Sequence, residues 1–256
     1  MKKYDKDCIY GGFASVYDTF MDETPYEEWC EFLVQILEEY EVPKGLVLDL
    51  GCGTGTLTEM LSKEGYDMIG VDNSEQMLAI AMEKRETSGE NILYLLQDMR
   101  EFELYGTVGA VISVCDSLNY LLEEDDLVQT FRLVNNYLDP KGIFIFDFNT
   151  VYKYREVIGD TTIAENREEC SFIWENYYHE EEEINEYDLT IFVREEDELF
   201  RKFEENHYQR GYRLKQMEEA LKKAGMEFVK AMDADTHGEV TKNSERIYCI
   251  ARECGK

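Results

Sequence analysis

The sequence predicts an α/β fold: a doubly wound, mostly parallel seven-stranded sheet carrying a small antiparallel β insertion. Three observations predict it. From residue 46 to 148, short apolar runs alternate with stretches whose apolar residues recur at helical spacing, the pattern of repeated β-α units. The first run, Leu46-Val47-Leu48-Asp49-Leu50, breaks into Gly51, Gly53 and Gly55 before helical spacing resumes at Thr56, so a strand enters a tight turn and then a helix. From Ser171 to Arg210 the pattern becomes period-two alternation broken by acidic connectors, which reads as antiparallel strands. Residues 1–150 and 211–256 are expected to form the core, with about 1–42 as an N-terminal cap and 151–210 as the insertion.

Composition narrows the class. A chain of 256 residues with 44% apolar content buries a substantial core as one large domain, or as one domain with an inserted subdomain. Lys plus Arg number 26 against 56 Asp plus Glu, a net charge of −30. That balance opposes the phosphate contacts that supply most nucleic-acid affinity, and it opposes an anionic membrane surface. Seven cysteines (8, 30, 52, 115, 170, 249, 254) include no C-x-x-C pair, and no apolar run has signal-peptide or membrane-spanning character. A reduced cytoplasm is the expected location.

Taken in order, Tyr10-Gly11-Gly12-Phe13-Ala14-Ser15-Val16-Tyr17-Asp18 precedes a helix from about Tyr26 to Glu39, on which Trp29, Phe32, Leu33 and Ile36 share a face. Pro43-Lys44-Gly45 punctuates the chain before the first strand. In the turn after that strand, glycine supplies open backbone angles and lets a ligand approach the main chain where a Cβ would intrude. Met68-Ile69-Gly70-Val71-Asp72 is the second strand. Asn73-Ser74-Glu75-Gln76 supplies helix-start chemistry, and Met77, Leu78, Ala81 and Met82 give that helix an apolar side. A third strand, Ile92 to Leu96, ends at Gln97-Asp98-Met99. The fourth, Val108 to Val114, is apolar throughout, as a parallel strand covered on both faces must be, and opens into Cys115-Asp116-Ser117-Leu118-Asn119-Tyr120-Leu121.

Leu127, Phe131, Val134 and Leu138 mark the next helix, Asp139-Pro140-Lys141-Gly142 ends it, and Ile143 to Phe148 is the fifth strand. Right-handed crossovers follow from this order. In the insertion, three groups predict three strands: Phe172, Trp174 and Tyr178; Leu189, Ile191 and Val193; Leu199, Phe203 and His207. Glu180 to Glu183 and Glu195-Glu196-Asp197 between them read as solvated turns. Leu214, Met217, Leu221 and Ala224 restore a helix stopped by Gly225, and Met226–Met232 with Arg246–Ala251 close the chain as a hairpin.

The glycine turn has two readings. A G-x-G-x-x-G loop cradles a pyrophosphate on a helix N-terminus. Here the third glycine's place, counted from Gly51, is Thr56, and Asp49 adds a carboxylate near the site. A pyrophosphate is repelled by that charge, whereas an ammonium or sulfonium is attracted. Asp72 follows Gly51 by 72 − 51 = 21 residues, the distance at which the second strand of a βαβ unit delivers a carboxylate to a ribose. Its plain alternative is an N-cap. A nicotinamide-dependent oxidoreductase is therefore the rival to an enzyme of a positively charged adenosyl donor.

With both acids in place, LVLDLGCGTG resembles motif I of the class I S-adenosylmethionine (SAM) methyltransferases, and Leu138-Asp139-Pro140-Lys141-Gly142 before an apolar strand is also similar to the family. The resemblance covers residues 46–148, and more loosely the closing helix and hairpin. It implies a Rossmann-like methyltransferase fold, SAM as cofactor with S-adenosylhomocysteine as product, and in-line methyl transfer to a small molecule. The insertion is placed as in glycine and amino-sugar N-methyltransferases. The resemblance further implies that Tyr10 and Tyr17 cap the cofactor, whose sulfonium suits aromatic faces; packing on the core is their other reading. Asp49, Gly51, Gly53, Asp72, Asn73 and Met77 are cofactor-binding candidates with them.

By the same resemblance Asp98 meets the adenine amino group, or else serves as a turn residue, and Met99 offers a main-chain contact. Cys115 and Asn119 fall in the region facing the methionyl part of SAM and the acceptor, Cys115 being otherwise a small packing residue. Tyr10, Asp116 and His207 are candidate bases by location, and His207 is otherwise a structural histidine. His207 and Arg210 end the insertion, where related enzymes build the acceptor pocket; Arg210 holds an acceptor carboxylate or pairs with a local acid. A non-catalytic SAM-binding regulatory module is a further alternative. No metal is expected, because His179, His207 and His237 are far apart and no ligand-type Cys/His spacing occurs. The expected partner is a small-molecule acceptor, with no nucleic acid and no membrane, for a monomer or homodimer.

Overall fold

A computed structural model describes residues 13–195 and 199–256. A short helix α1 (Ala14–Phe20) and a longer α2 (Tyr26–Glu39) lead into the β-α repeats. These are β1 (Leu46–Leu50), α3 (Thr56–Lys63), β2 (Asp67–Asp72), α4 (Glu75–Ser88), β3 (Leu93–Leu96), β4 (Val108–Ser113), α5 (Glu124–Tyr137) and β5 (Leu138–Asn149). Four strands follow, β6 (Thr162–Asn166), β7 (Cys170–His179), β8 (Ile184–Arg194) and β9 (Phe200–Arg210). The chain closes with α6 (Leu214–Ala224), β10 (Glu227–Asp233) and β11 (Arg246–Arg252).

Seven strands make one sheet in the order β10-β11-β5-β4-β1-β2-β3, with β11 antiparallel to both neighbours and the pairs from β5 to β3 parallel. The continuous apolar runs are the inner strands because successive side chains feed two cores. Leu48, Leu50, Val111, Phe144 and Phe146 join one cluster, closed by α5 and α6 through Leu127, Phe131, Met217 and Leu221. Val47, Ala110, Ile112, Ile143 and Ile145 join the other, closed by α2, α3 and α4 through Leu33, Leu37, Leu61 and Leu78. Helix α2 turns Cys30, Leu33, Ile36 and Leu37 inward; Trp29, expected on that face, lies at its edge with a guanidinium 5.6 Å above its ring.

Two expectations needed correction. Asp139-Pro140-Lys141-Gly142 is not a loop before the fifth strand but a bulge inside it, where pairing shifts from Val108↔Leu138 to Ala110↔Ile143 and Lys141 takes φ 67°. The insertion holds four strands rather than three, in the order β6-β7-β8-β9, preceded by a π-helical turn at Lys153–Ile158. Strand β6 carries no alternation because four of its five residues are exposed, so no buried face imprinted a pattern on it. The connector residues Glu196 and Asp197 lie outside the described residues. A third apolar cluster, with Val16 of α1 against Cys170, Phe172, Leu189 and Ile191, seats the cap helix on the insertion. Among the described residues no helix is long and apolar enough to cross a membrane.

Candidate active site

The corner after β1 is shaped by backbone angles that only glycine takes readily. Gly51, Gly53 and Gly55 have φ of 84°, 54° and 74°. A Cβ on Gly51 would stand 2.6 Å from the Ser117 hydroxyl, which is how the β1 and β4 loops close against each other. A Cβ on Gly53 would meet nothing within 4 Å, so open space for a ligand begins there. The Gly51 and Cys52 peptide N–H groups both donate to the Val71 carbonyl, at 2.7 and 3.0 Å, tying the corner to β2.

Asp72 ends β2 beside this corner. One carboxylate oxygen accepts the Gly53 N–H at 2.8 Å and the other the Ser74 N–H at 2.8 Å, leaving lone pairs on both. The Ser74 hydroxyl in turn caps α4 by accepting the Met77 N–H at 3.2 Å. Asp49 is 3% exposed, accepts the Thr58 hydroxyl at 2.6 Å, and has its pKa pushed up to about 7 by burial. Burial also raises the Asp72 carboxyl, against the pull of its peptide donors. Asp98 is gripped by Arg100, whose peptide N–H and Nε donate to one oxygen at 2.9 and 2.8 Å and whose Nη2 donates to the other. Arg100 also reaches Asp126 at 3.2 Å.

These groups surround one cavity of 430 Å³ at the carboxyl ends of β1, β2, β3 and β4. Ten of the expected cofactor-binding residues line it: Tyr17, Asp49, Gly51, Gly53, Asp72, Asn73, Met77, Asp98, Met99 and Cys115. Ligands of α/β sheets bind at such strand ends. Tyr10 lies outside the described residues. Asn119 is a correction: it does not line the cavity but is fully buried, its amide donating to the Asn149 and Arg210 carbonyls at 2.9 and 2.6 Å while its oxygen accepts the Asn149 N–H at 2.9 Å. It latches the insertion to the sheet. Arg210 also misses the cavity; its guanidinium donates to the Leu122 carbonyl at 2.7 Å and lies 5.9 Å over the Tyr212 ring.

Nor is Asp116 on the wall. Its carboxylate accepts from Arg246 and from Gln209, each at 2.8 Å, facing inward. His207 is 4% exposed and sits behind the wall, against Tyr120 and Glu205. Lining residues the sequence did not disclose include Tyr26, Arg100, Ser117, Tyr120 and Tyr208. Tyr26 follows a proline at a helix start, where its place in the helix hid its place beside Tyr17. Burial raises both phenols far above the ordinary range and keeps them neutral.

Below the cavity floor a polar network joins core and insertion. Asp147, fully buried on β5, accepts the Cys115 and Asp116 peptide N–H groups at 3.1 and 2.8 Å and pairs with Arg246 of β11 at 3.4 Å. From Asp116 the chain of bonds runs through Gln209 to the hydroxyls of Tyr154 and Tyr187, at 2.7 and 2.5 Å. It fixes the left-handed angles of Cys115 (φ 61°) and Asp116 (φ 54°), and so the floor itself. Among the described residues no three His, Cys, Asp or Glu side chains group as metal ligands do.

Comparison with known proteins accords with this geometry. The family described as Methyltransferase domain matches residues 47–142, the span from β1 to the β5 bulge. A putative methyltransferase YqeM of Bacillus subtilis is 38% identical over 246 residues, covering 96% of this chain and 97% of its own. A SAM-dependent methyltransferase of Clostridium acetobutylicum superposes with a TM-score of 0.87 at 30% identity, over 96% of this chain and 99% of its own. A dTDP-3-amino-3,4,6-trideoxy-α-D-glucopyranose N,N-dimethyltransferase of Streptomyces venezuelae is 29% identical over 136 residues, 52% of this chain and 56% of its own. Glycine corner, strand-end acids and full-length likeness agree, and the chain belongs to the SAM-dependent methyltransferase family.

Proposed function

We propose that the chain transfers a methyl group from SAM to a small-molecule acceptor by in-line displacement. The observation that carries this reading is the cavity bounded by Asp49, Asp72 and Asp98 around a glycine corner, since Asp72 suits ribose hydroxyls at a second-strand end and Asp49, which ionises beside a cationic ligand, suits an ammonium rather than a diphosphate. Asp72 holds the ribose hydroxyls, Asp98 and the Met99 main chain the adenine, and Asp49 the charged end. Tyr17 and Tyr26 offer aromatic faces to a sulfonium. SAM supplies a methyl carbon already activated by positive sulfur. The residues of the chain therefore align the acceptor and exclude water, and alignment alone accounts for roughly 7–11 kcal/mol in favourable intramolecular cases.

Tyr17 of the cap helix and Asn206 and Tyr208 of the insertion on the cavity wall support a small acceptor, and the net charge of −30 opposes a nucleic acid. The amino-sugar N-methyltransferase among the relatives supports a nitrogen acceptor. A cytoplasmic monomer or homodimer fits the same reading. Calorimetry with S-adenosylhomocysteine and with NAD tests the cofactor: the former binds and the latter does not, and the reverse outcome would overturn the proposal. A metabolite library assayed for S-adenosylhomocysteine release then identifies the acceptor; binding without turnover on any compound would mark a regulatory module instead.

Asp49 makes the binding proton-linked. A folded carboxyl at about 7, against an unfolded value near 3.8, stays protonated over that window in the free protein. The folded state then binds the extra proton, so stability of the free protein falls as pH rises from about 4 to about 7. A cationic ligand favours the carboxylate, so S-adenosylhomocysteine, through its ammonium, displaces a proton at pH 6 to 7. Calorimetry in buffers of different ionisation enthalpy will register that release in the wild type and lose it in Asp49→Asn.

A further inference from the structure

The inward face of β9 is polar where a strand against a core should be apolar. Period-two alternation sends Glu205, His207 and Gln209 to that face, and all three are more than nine-tenths buried. Gln209 belongs to the floor network. The other two form a separate line. Glu205 accepts the Phe13 peptide N–H on one oxygen at 2.9 Å, and its other oxygen lies 3.2 Å from His207 Nε2. On the far side of the imidazole, Nδ1 lies 3.3 Å from the Tyr120 hydroxyl, and Tyr120 lines the cavity.

We propose that Tyr120, His207 and Glu205 form a proton relay: the Tyr120 hydroxyl takes the acceptor's proton as its own passes to His207 Nδ1, and Glu205 holds the resulting imidazolium. Tyr120 is the catalytic residue; His207 and Glu205 act through it. A carboxylate on Nε2 favours the tautomer with Nε2–H donating and Nδ1 unprotonated, which is the arrangement needed to accept from a phenol. The proposal rests on the methyltransferase reading. As the acceptor nitrogen's lone pair forms the new carbon–nitrogen bond, the carbon–sulfur pair returns to sulfur. The nitrogen's surplus proton moves to the Tyr120 oxygen while the phenolic proton moves to His207, so charge and atoms balance. The relay passes the proton from the cavity wall into the buried face of β9. It also ties the acid–base group to the cap, since Glu205 holds the peptide that opens α1.

The test uses the full chain with ¹⁵N-labelled histidine and S-adenosylhomocysteine. The His207 signals, identified by their loss in His207→Gln, are expected to show Nε2 protonated and Nδ1 bare at pH 7.5. Tyr120→Phe shifts the Nδ1 resonance, and Glu205→Gln mixes the tautomers. A protonated Nδ1 would reverse the direction of the bond to Tyr120 and overturn the relay. On an amine acceptor from the library assay, Tyr120→Phe lowers kcat on the order of a hundredfold with KM for SAM unchanged; an unaltered kcat would equally overturn it. Loss of S-adenosylhomocysteine binding by the wild type would strike the methyltransferase reading, while the tautomer measurement would still judge the triad.

Discussion

Arg246→Met will lower folding stability by about 3–5 kcal/mol at pH 8, the cost of leaving a buried ion without its partner. Arg246 stands between two carboxylates, 2.8 Å from Asp116 and 3.4 Å from Asp147, with the Trp29 ring against it. Asp147 has no exposed surface, and its two peptide donors from Cys115 and Asp116 do not replace a unit charge. Burial already raises the Asp147 carboxyl, so in the variant it takes up a proton more readily as pH falls. The loss measured by urea unfolding should therefore shrink between pH 8 and pH 5. Adding Asp147→Asn to Arg246→Met should restore part of the stability by removing the orphaned charge. A deficit below about 1 kcal/mol at pH 8 would show that the pair is solvated and that the floor does not depend on it.

The β-α half of the fold was legible because burial on both faces leaves no room for polar residues. Val108 to Ser113 admits one reading for that reason, and the strands β1 to β4 lie within a residue or so of expectation. The β5 bulge was not legible, because Pro140 and Gly142 mark a loop and a bulge alike. What decides between them is pairing of Leu138 with Val108, a contact 30 residues away. Strand β6 failed for the opposite reason: an exposed edge strand is held by its ladder to β7, which leaves no trace in side-chain pattern.

In the site, residues whose role is backbone geometry or strand-end position were legible. The glycines and Asp49, Asp72 and Asp98 sit where the βαβ repeat must deliver them. Side chains whose partners come from remote segments were not. Asn119 and Arg210 look like ligand-binding groups by sequence, yet each satisfies carbonyls across the junction of core and insertion. Arg246 carried no signal, since its two acids precede it by about a hundred residues or more. His207 was named by its place at the end of the insertion, as a base or a structural histidine, but its link to Tyr120 needed β9 and the loop after β4 brought together.

Asp72→Ala will weaken S-adenosylhomocysteine binding by about 1.5–3 kcal/mol, the range for hydrogen bonds to a charged group, or roughly ten- to a hundredfold. Two effects contribute and can be separated. The carboxylate offers its remaining lone pairs to the ribose, and it also holds the Gly53 and Ser74 peptides at 2.8 Å, which sets the corner and the start of α4. Asp72→Asn keeps an oxygen for one of those peptides but turns the other position into a donor, so it should preserve more stability than affinity. If the corner were all that mattered, affinity and thermal midpoint would fall together through Ala and Asn alike. The ribose role instead requires that Asn bind poorly in a protein that melts close to wild type. Unchanged affinity in Asp72→Ala would mean that the ribose lies elsewhere and that Asp72 is a capping residue only.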